Sequence, residues 1–151
     1  FKFNRQLVAG RILSRIMCER AIQAGRDLPG MIIPVPLHRL RLVERGFNQA
    51  YELGANISKQ LNVPLLATAL RRHRNTRAQS GLDRKQRRKN LNKAFYWAGI
   101  AKPSGYIALV DDVMTTGATV TECTRVLKTA GAKRVDVWVA ARATRADARP
   151  S

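Results

Sequence analysis

Apolar residues recur at helical spacing in some stretches of the chain and run continuously in short ones between them, so helices and strands alternate along the sequence. From Arg5 to Ala24, Val8, Ile12, Leu13, Ile16, Met17 and Ile22 fall near one side of a helix, and Gly25 supplies a stop. Met31-Ile32-Ile33-Pro34-Val35-Pro36 reads as a short buried strand ended by its prolines. Phe47, Ala50, Gly54, Ile57 and Leu61 predict a second amphipathic helix over 46–61, and Val63 to Ala67 closes a strand, helix, strand unit. Ala94 to Ala98 reads as a short aromatic strand and Tyr106 to Val110 as a buried one. A helix follows with Val120, Cys123, Leu127 and Ala130 on one side and Gly131 as cap, and Arg134 to Ala141 is the next strand. This βαβ order implies parallel pairing.

Length and a 45% apolar composition fit one domain over 1–145, with a frayed tail at 146–151. No apolar run reaches the roughly 20 residues of a membrane span, and residues 1–6 lack a secretory signal's architecture, so a cytoplasmic protein without membrane insertion is expected. Cys18 and Cys123 sit inside helical patterns, far from other ligands, and read as buried reduced thiols.

Charge changes the picture. Lys and Arg number 28 against 10 Asp and Glu, a net charge of +18, and such a field attracts polyanions. Much of it lies between residues 71 and 93, where Arg71, Arg72, Arg74, Arg77, Arg84, Lys85, Arg87, Arg88, Lys89 and Lys93 face only Asp83. That stretch breaks every periodic pattern and reads as a flexible basic loop. Its cations suit the phosphates of a nucleic acid, with Phe95, Tyr96 or Trp97 as candidate stacking partners; the alternative for those aromatics is the core.

The chemistry concentrates between residues 107 and 119. In an open parallel sheet, ligands bind beyond the carboxyl ends of the strands, where Asp111 and Asp112 are expected. Adjacent carboxylates there are costly unless hydroxyls, a metal or cations compensate them. Thr115-Thr116-Gly117-Ala118-Thr119 then opens a helix with small residues, so hydroxyls, backbone amides and the helix dipole converge on one anion. Gly117 permits the turn or the close approach of the backbone. The glycine is not followed by Lys, as it would be in a Walker loop, so a nucleoside triphosphatase is disfavoured.

Ile107 to Thr119 resembles the phosphoribosyl pyrophosphate (PRPP) signature of type I phosphoribosyltransferases. Val35-Pro36-Leu37-His38, Arg45-Gly46-Phe47-Asn48-Gln49-Ala50, and Thr76-Arg77-Ala78-Gln79-Ser80 with Arg88, Asn90 and Ala94-Phe95 resemble the ComF/GntX family of competence-related proteins. The resemblance covers nearly the whole chain and implies an α/β, type I phosphoribosyltransferase fold: a mostly parallel twisted sheet flanked by helices. It implies that Asp111 and Asp112 hold the ribose hydroxyls as the catalytic acids, with Mg2+ carried in through the ligand, and that Thr115, Thr116, Gly117, Ala118 and Thr119 cradle the 5′-phosphate. Pro36, Leu37, His38, Arg39 and Arg41 would take the diphosphate, while Arg45, Gly46, Phe47, Asn48 and Gln49 form a family motif whose Asn48 is either a ligand or a local hydrogen-bonding residue. Family members commonly carry an N-terminal zinc ribbon, which is absent from these residues, so a shortened form or a divergent member is expected.

Three functions follow from the resemblance. In the first, PRPP binding accompanies DNA uptake during natural transformation, with internalised single-stranded DNA as partner. A helicase or translocation partner and a homodimer belong to that expectation. The second is an active transferase moving phosphoribosyl from PRPP to a nucleobase or amine. Oxopurine enzymes place an acid/base aspartate where Thr115 stands, which argues against that acceptor class. The third is a PRPP-responsive nucleic-acid-binding regulator.

Overall fold

A computed structural model of the chain describes residues 2–25, 27–37, 42–43, 46–73, 93–103 and 105–143. In chain order the elements are α1 (Lys2–Gln23), β1 (Met31–Pro34), α2 (Gln49–Leu61), β2 (Leu70–Arg72), β3 (Phe95–Trp97), β4 (Tyr106–Met114), α3 (Ala118–Ala130) and β5 (Arg134–Arg142). Three strands form a parallel sheet in the order β1-β4-β5, with Met31 opposite Ile107 and Tyr106 opposite Arg134. The fold is α/β with helices on both faces, as the alternating pattern predicts.

The pleat sorts the strands' side chains into two cores. Ile33, Ile107 and Leu109 pack with Val120, Cys123 and Leu127 of α3 on one face, whereas Ile32, Ala108 and Val110 pack with Leu53 and Ile57 of α2 and with Cys18 of α1 on the other. Because both faces are covered, β1 and the first half of β4 are continuously apolar rather than alternating. Gly54 lets α2 lie close to the sheet: a Cβ there would stand 3.2 Å from the Leu65 side chain and 3.5 Å from Ile32. At the far end of the β4–β5 pair, Arg134 forks onto Asp136, Tyr106 donates its hydroxyl to the same carboxylate at 3.0 Å, and the guanidinium lies 4.1 Å from the Tyr106 ring centre.

Four elements depart from the sequence expectation. α1 turns much of its expected apolar side outward: Val8 is 54% exposed and Ile12 55%, with Ile16 and Ile22 also exposed, while Met17 packs against the core and Ser14 and Cys18 are buried. Ser14 fits there because its hydroxyl donates to the Arg11 carbonyl and accepts from Gln60 of α2, so the small face of the helix can dock without an unsatisfied polar atom. The strand expected over 63–67 is a single parallel bridge, Ile32 with Leu65; Asn62 is left-handed at φ 51° and Pro64 has no N–H, which curtails the ladder. A short strand, β2, stands at the start of the expected loop and pairs antiparallel with β3. Finally, β4 continues past Val110 to Met114, because β5 keeps pairing with it as far as Arg142.

Glycine stops behave as expected: Gly25 takes φ 60° after α1, and Gly131 closes α3 with its amide shared between the Leu127 and Lys128 carbonyls. Among the described residues no helix is long and apolar enough to cross a membrane. The tail expected to fray, 146–151, lies outside the described residues.

Candidate functional site

The site is built where β1 stops and β4 does not. The last bond between them runs from the Val35 amide to the Val110 carbonyl at 2.8 Å, so Asp111 and Asp112 lie beyond the end of β1 but still inside the β4–β5 pair. With β1 ended, the Asp112 amide is taken by Asp111 Oδ1 at 2.9 Å; the Val113 amide, within the β4–β5 pair, also donates to Asp112 Oδ1 at 2.8 Å. Strand alternation sends the two acids to opposite faces. Asp112 borders a cavity on the α1/α2 side, and Asp111 follows Leu109 toward α3, close enough to Cys123 to help raise that thiol's pKa. Burial, followed by the neighbouring Asp112 charge, pushes the Asp111 carboxyl up to about 7.

Past Met114, Thr115 and Thr116 are exposed, and Gly117 caps α3 at φ 77°, ψ 1°. A Cβ on Gly117 would come no nearer than 3.6 Å to Met114, so conformation and not space requires glycine at this turn. Thr116 Oγ1 accepts from the Ala118 amide at 3.4 Å, and Thr121 donates its hydroxyl to the Gly117 carbonyl at 2.8 Å. No acidic residue occupies the first turn of α3, which leaves the positive end of the helix available to an anion. The acids and the threonine turn are thus consecutive parts of one strand-to-helix junction.

Other predicted site residues divide into three groups. Pro36 and Leu37 are half-buried just after β1, whereas His38, Arg39, Arg41 and Arg45 lie outside the described residues. Gly46 takes φ 79°, and Phe47 and Gln49 line the cavity beside Asp112. Asn48 holds backbone groups: it accepts from the Ala50 amide at 3.0 Å as the cap of α2 and donates to the Val35 carbonyl at 3.1 Å. Of the basic stretch, Arg71, Arg72 and Lys93 are described, while Arg74, Arg77, Arg84, Lys85, Arg87, Arg88 and Lys89 are outside the described residues. Phe95 is core, and Trp97 packs against it with its indole N–H donated to the Ala101 carbonyl; Tyr96 is 41% exposed.

The cavity itself was not expected from sequence. It measures about 230 Å³ and is walled by Leu13 of α1, Phe47 just before α2, Leu53 within it, and Val113 and Ala140 at the carboxyl ends of β4 and β5, with Gln49, Glu52, Asn56 and Asp112 as its polar side chains. Asn56 and Glu52 were legible only as polar interruptions on the inner side of α2. Both cysteines are buried, as expected, and Cys123 is pushed far up, first by burial and then by Asp111.

These elements form the type I phosphoribosyltransferase fold. The fold is that of a glutamine PRPP amidotransferase from B. subtilis solved with ADP and GMP (TM-score 0.57, 14% identity, 87% of this chain and 26% of that one) and of a purine phosphoribosyltransferase from Pyrococcus horikoshii (TM-score 0.50, 15% identity, 93% and 82%). In sequence the chain is 41% identical over 150 residues to Competence protein F of Haemophilus influenzae, covering 95% of this chain and 65% of that protein. It is 36% identical over 141 residues to the DNA utilization protein YhgH of Escherichia coli K12, covering 91% and 62%. The chain is thus similar to these competence and DNA utilization proteins over nearly its whole length and spans less than two thirds of theirs. No family model matches it.

Proposed function

We propose that this domain binds PRPP and serves DNA uptake, handling internalised single-stranded DNA in the cytoplasm. The observation that carries the first half is the junction at residues 111–119, where two carboxylates beyond the end of β1 lead directly into an anion-ready helix start. On this reading Asp111 and Asp112 accept hydrogen bonds from the ribose hydroxyls, and the residues Thr115 to Thr119 donate to the 5′-phosphate. The diphosphate falls to Pro36, Leu37, His38, Arg39 and Arg41. Among the described residues no three His, Cys, Asp or Glu side chains converge on a metal site. Two carboxylates fit a Mg2+ ion that arrives on the diphosphate and neutralises it when bound.

The second half rests on the +18 charge, on the names of the relatives, and on the basic residues at 71–93. Release of counterions from phosphates favours a polyanion partner, and a single strand leaves bases free to stack. A helicase or translocation partner, and a homodimer, complete the reading.

One observation favours a transferase as the alternative. The cavity beside Asp112 is large enough for a nucleobase, and Asp112, which on this reading holds the ribose, is part of its wall. Calorimetric titration of PRPP with Mg2+, repeated with a short single-stranded oligonucleotide already bound, tests the main reading. Heat of binding that the oligonucleotide preserves or alters supports it; absence of heat and of a thermal shift removes PRPP from it. Release of pyrophosphate on addition of a nucleobase would favour the transferase.

A further inference from the structure

β2 and β3 form a two-stranded ribbon whose faces differ. The register sets Leu70 opposite Trp97, Arg71 opposite Tyr96 and Arg72 opposite Phe95. Directly opposed residues share a face, and successive residues alternate. Leu70, Phe95 and Trp97 therefore belong to the core side, and there Arg72 lays its guanidinium 5.3 Å from the Phe95 ring centre. Arg71 and Tyr96 belong to the other side, and both are exposed. His73, also exposed, joins them diagonally: its ring lies 5.5 Å from that of Tyr96 at 55°.

We infer that this outer face, Arg71–Tyr96–His73, is a stacking platform for single-stranded nucleic acid, with a base on the Tyr96 ring and the adjoining phosphate on Arg71. The inference rests on the DNA reading above and adds the surface that carries it. The platform is preset. Arg71 Nε donates to the Thr68 carbonyl at 3.2 Å, which holds the guanidinium at the ribbon, and the His73 amide is bonded to the Ala94 carbonyl at 3.1 Å. Its rear is fixed by Phe95, 3% exposed, and by the Trp97 indole bonded to Ala101. The charge is right for the partner. Arg71, Arg72 and Lys93 stand on or beside the ribbon with no acidic side chain in it, and residues 74–92, which join its two strands, carry seven Lys and Arg against Asp83. A duplex hides its base faces, so stacking on an exposed ring selects single strands.

Fluorescence anisotropy with labelled oligo(dT) and with a duplex of equal length tests this on the whole chain, comparing the wild type with Tyr96→Ala, Tyr96→Phe and Arg71→Gln. Thermal unfolding and calorimetry with PRPP serve as checks of integrity. The platform requires that the wild type prefer the single strand and that Tyr96→Ala weaken it roughly 5- to 160-fold, the range given by loss of one base–aromatic stack. Tyr96→Phe should stay close to wild type, and Arg71→Gln should flatten the salt dependence. Photocrosslinking of an iododeoxyuridine-substituted strand should land on the peptide that holds Tyr96. Equal single-strand binding by Tyr96→Ala and the wild type overturns the platform and leaves the DNA reading standing. A wild type that binds neither nucleic acid overturns the DNA reading and the platform with it, and a preference for duplex overturns the platform alone.

Discussion

Asn48 fastens the start of α2 to the end of β1 by donating its side-chain amide to the Val35 carbonyl across 3.1 Å while accepting from the Ala50 amide. One side chain thus sets the angle between the helix and the loop that leaves the strand.

Asn48→Ala should therefore cost about 1–2 kcal/mol from the lost cap and strap together. Asn48→Asp separates the two: it keeps the acceptor for Ala50 and loses the donor to Val35. Urea unfolding of both variants should place Asp between Ala and the wild type, and an Asp variant as unstable as Ala would make the strap to Val35 the dominant bond.

Gly117→Ala forces a side chain onto a backbone at φ 77°. The strain is about 1–2 kcal/mol and is relieved by moving the turn that begins α3. PRPP affinity measured by calorimetry should fall by at least tenfold while far-ultraviolet circular dichroism stays unchanged. Undiminished affinity would show that the anion does not rest on this turn.

The Asp111 carboxyl, raised to about 7 by burial and then by Asp112, favours its protonated form in the folded chain. Its ordinary value in the unfolded chain is near 4. The folded state therefore binds more protons between those values, and this contribution to stability is complete below about pH 4 and lost as pH rises through about 7. Asp111→Asn, which keeps the neutral state, should melt above the wild type at pH 8, and the gap should close by about pH 4. A gap that does not change with pH would assign the effect to something other than titration of Asp111.

α1 supplies a contrast between two isoleucines. Ile12 is 55% exposed and Ile57 is fully buried under α1 and against β1. Ile12→Gln should change stability by less than about 0.5 kcal/mol, whereas Ile57→Ala should cost about 2–5 kcal/mol. A large loss from Ile12→Gln, read by chemical denaturation, would mean that the helix packs on its apolar side.

That contrast also marks where the sequence could be read and where it could not. The junction at 107–119 was legible because its residue types are dictated locally: an apolar strand buried on both sides, two acids, then a turn that only glycine adopts easily. The helices α2 and α3 were legible because their apolar residues do face the sheet, as Ile57 and Leu127 show. For α1 the same rule failed, because Ser14 satisfies its hydroxyl within the helix and against Gln60, and a face that is small and self-satisfied docks as well as an apolar one. β2 was hidden since Arg71 and Arg72 read as solvated charge, although Arg72 covers an aromatic ring. The length of β4 and the cavity beside Asp112 depend on the partner strand and on the position of α1, which no local pattern encodes.

The early end of β1 has one more consequence. It leaves the Asp112 amide without a partner on that strand, and Asp111 Oδ1 takes it. A ligand hydroxyl that displaces the Asp112 amide from Asp111 releases a donor at the same moment as it occupies an acceptor. On the proposed reading, a hydroxyl that donates to Asp111 and accepts from the released Asp112 amide would exchange an internal hydrogen bond for external ones without stranding a polar group.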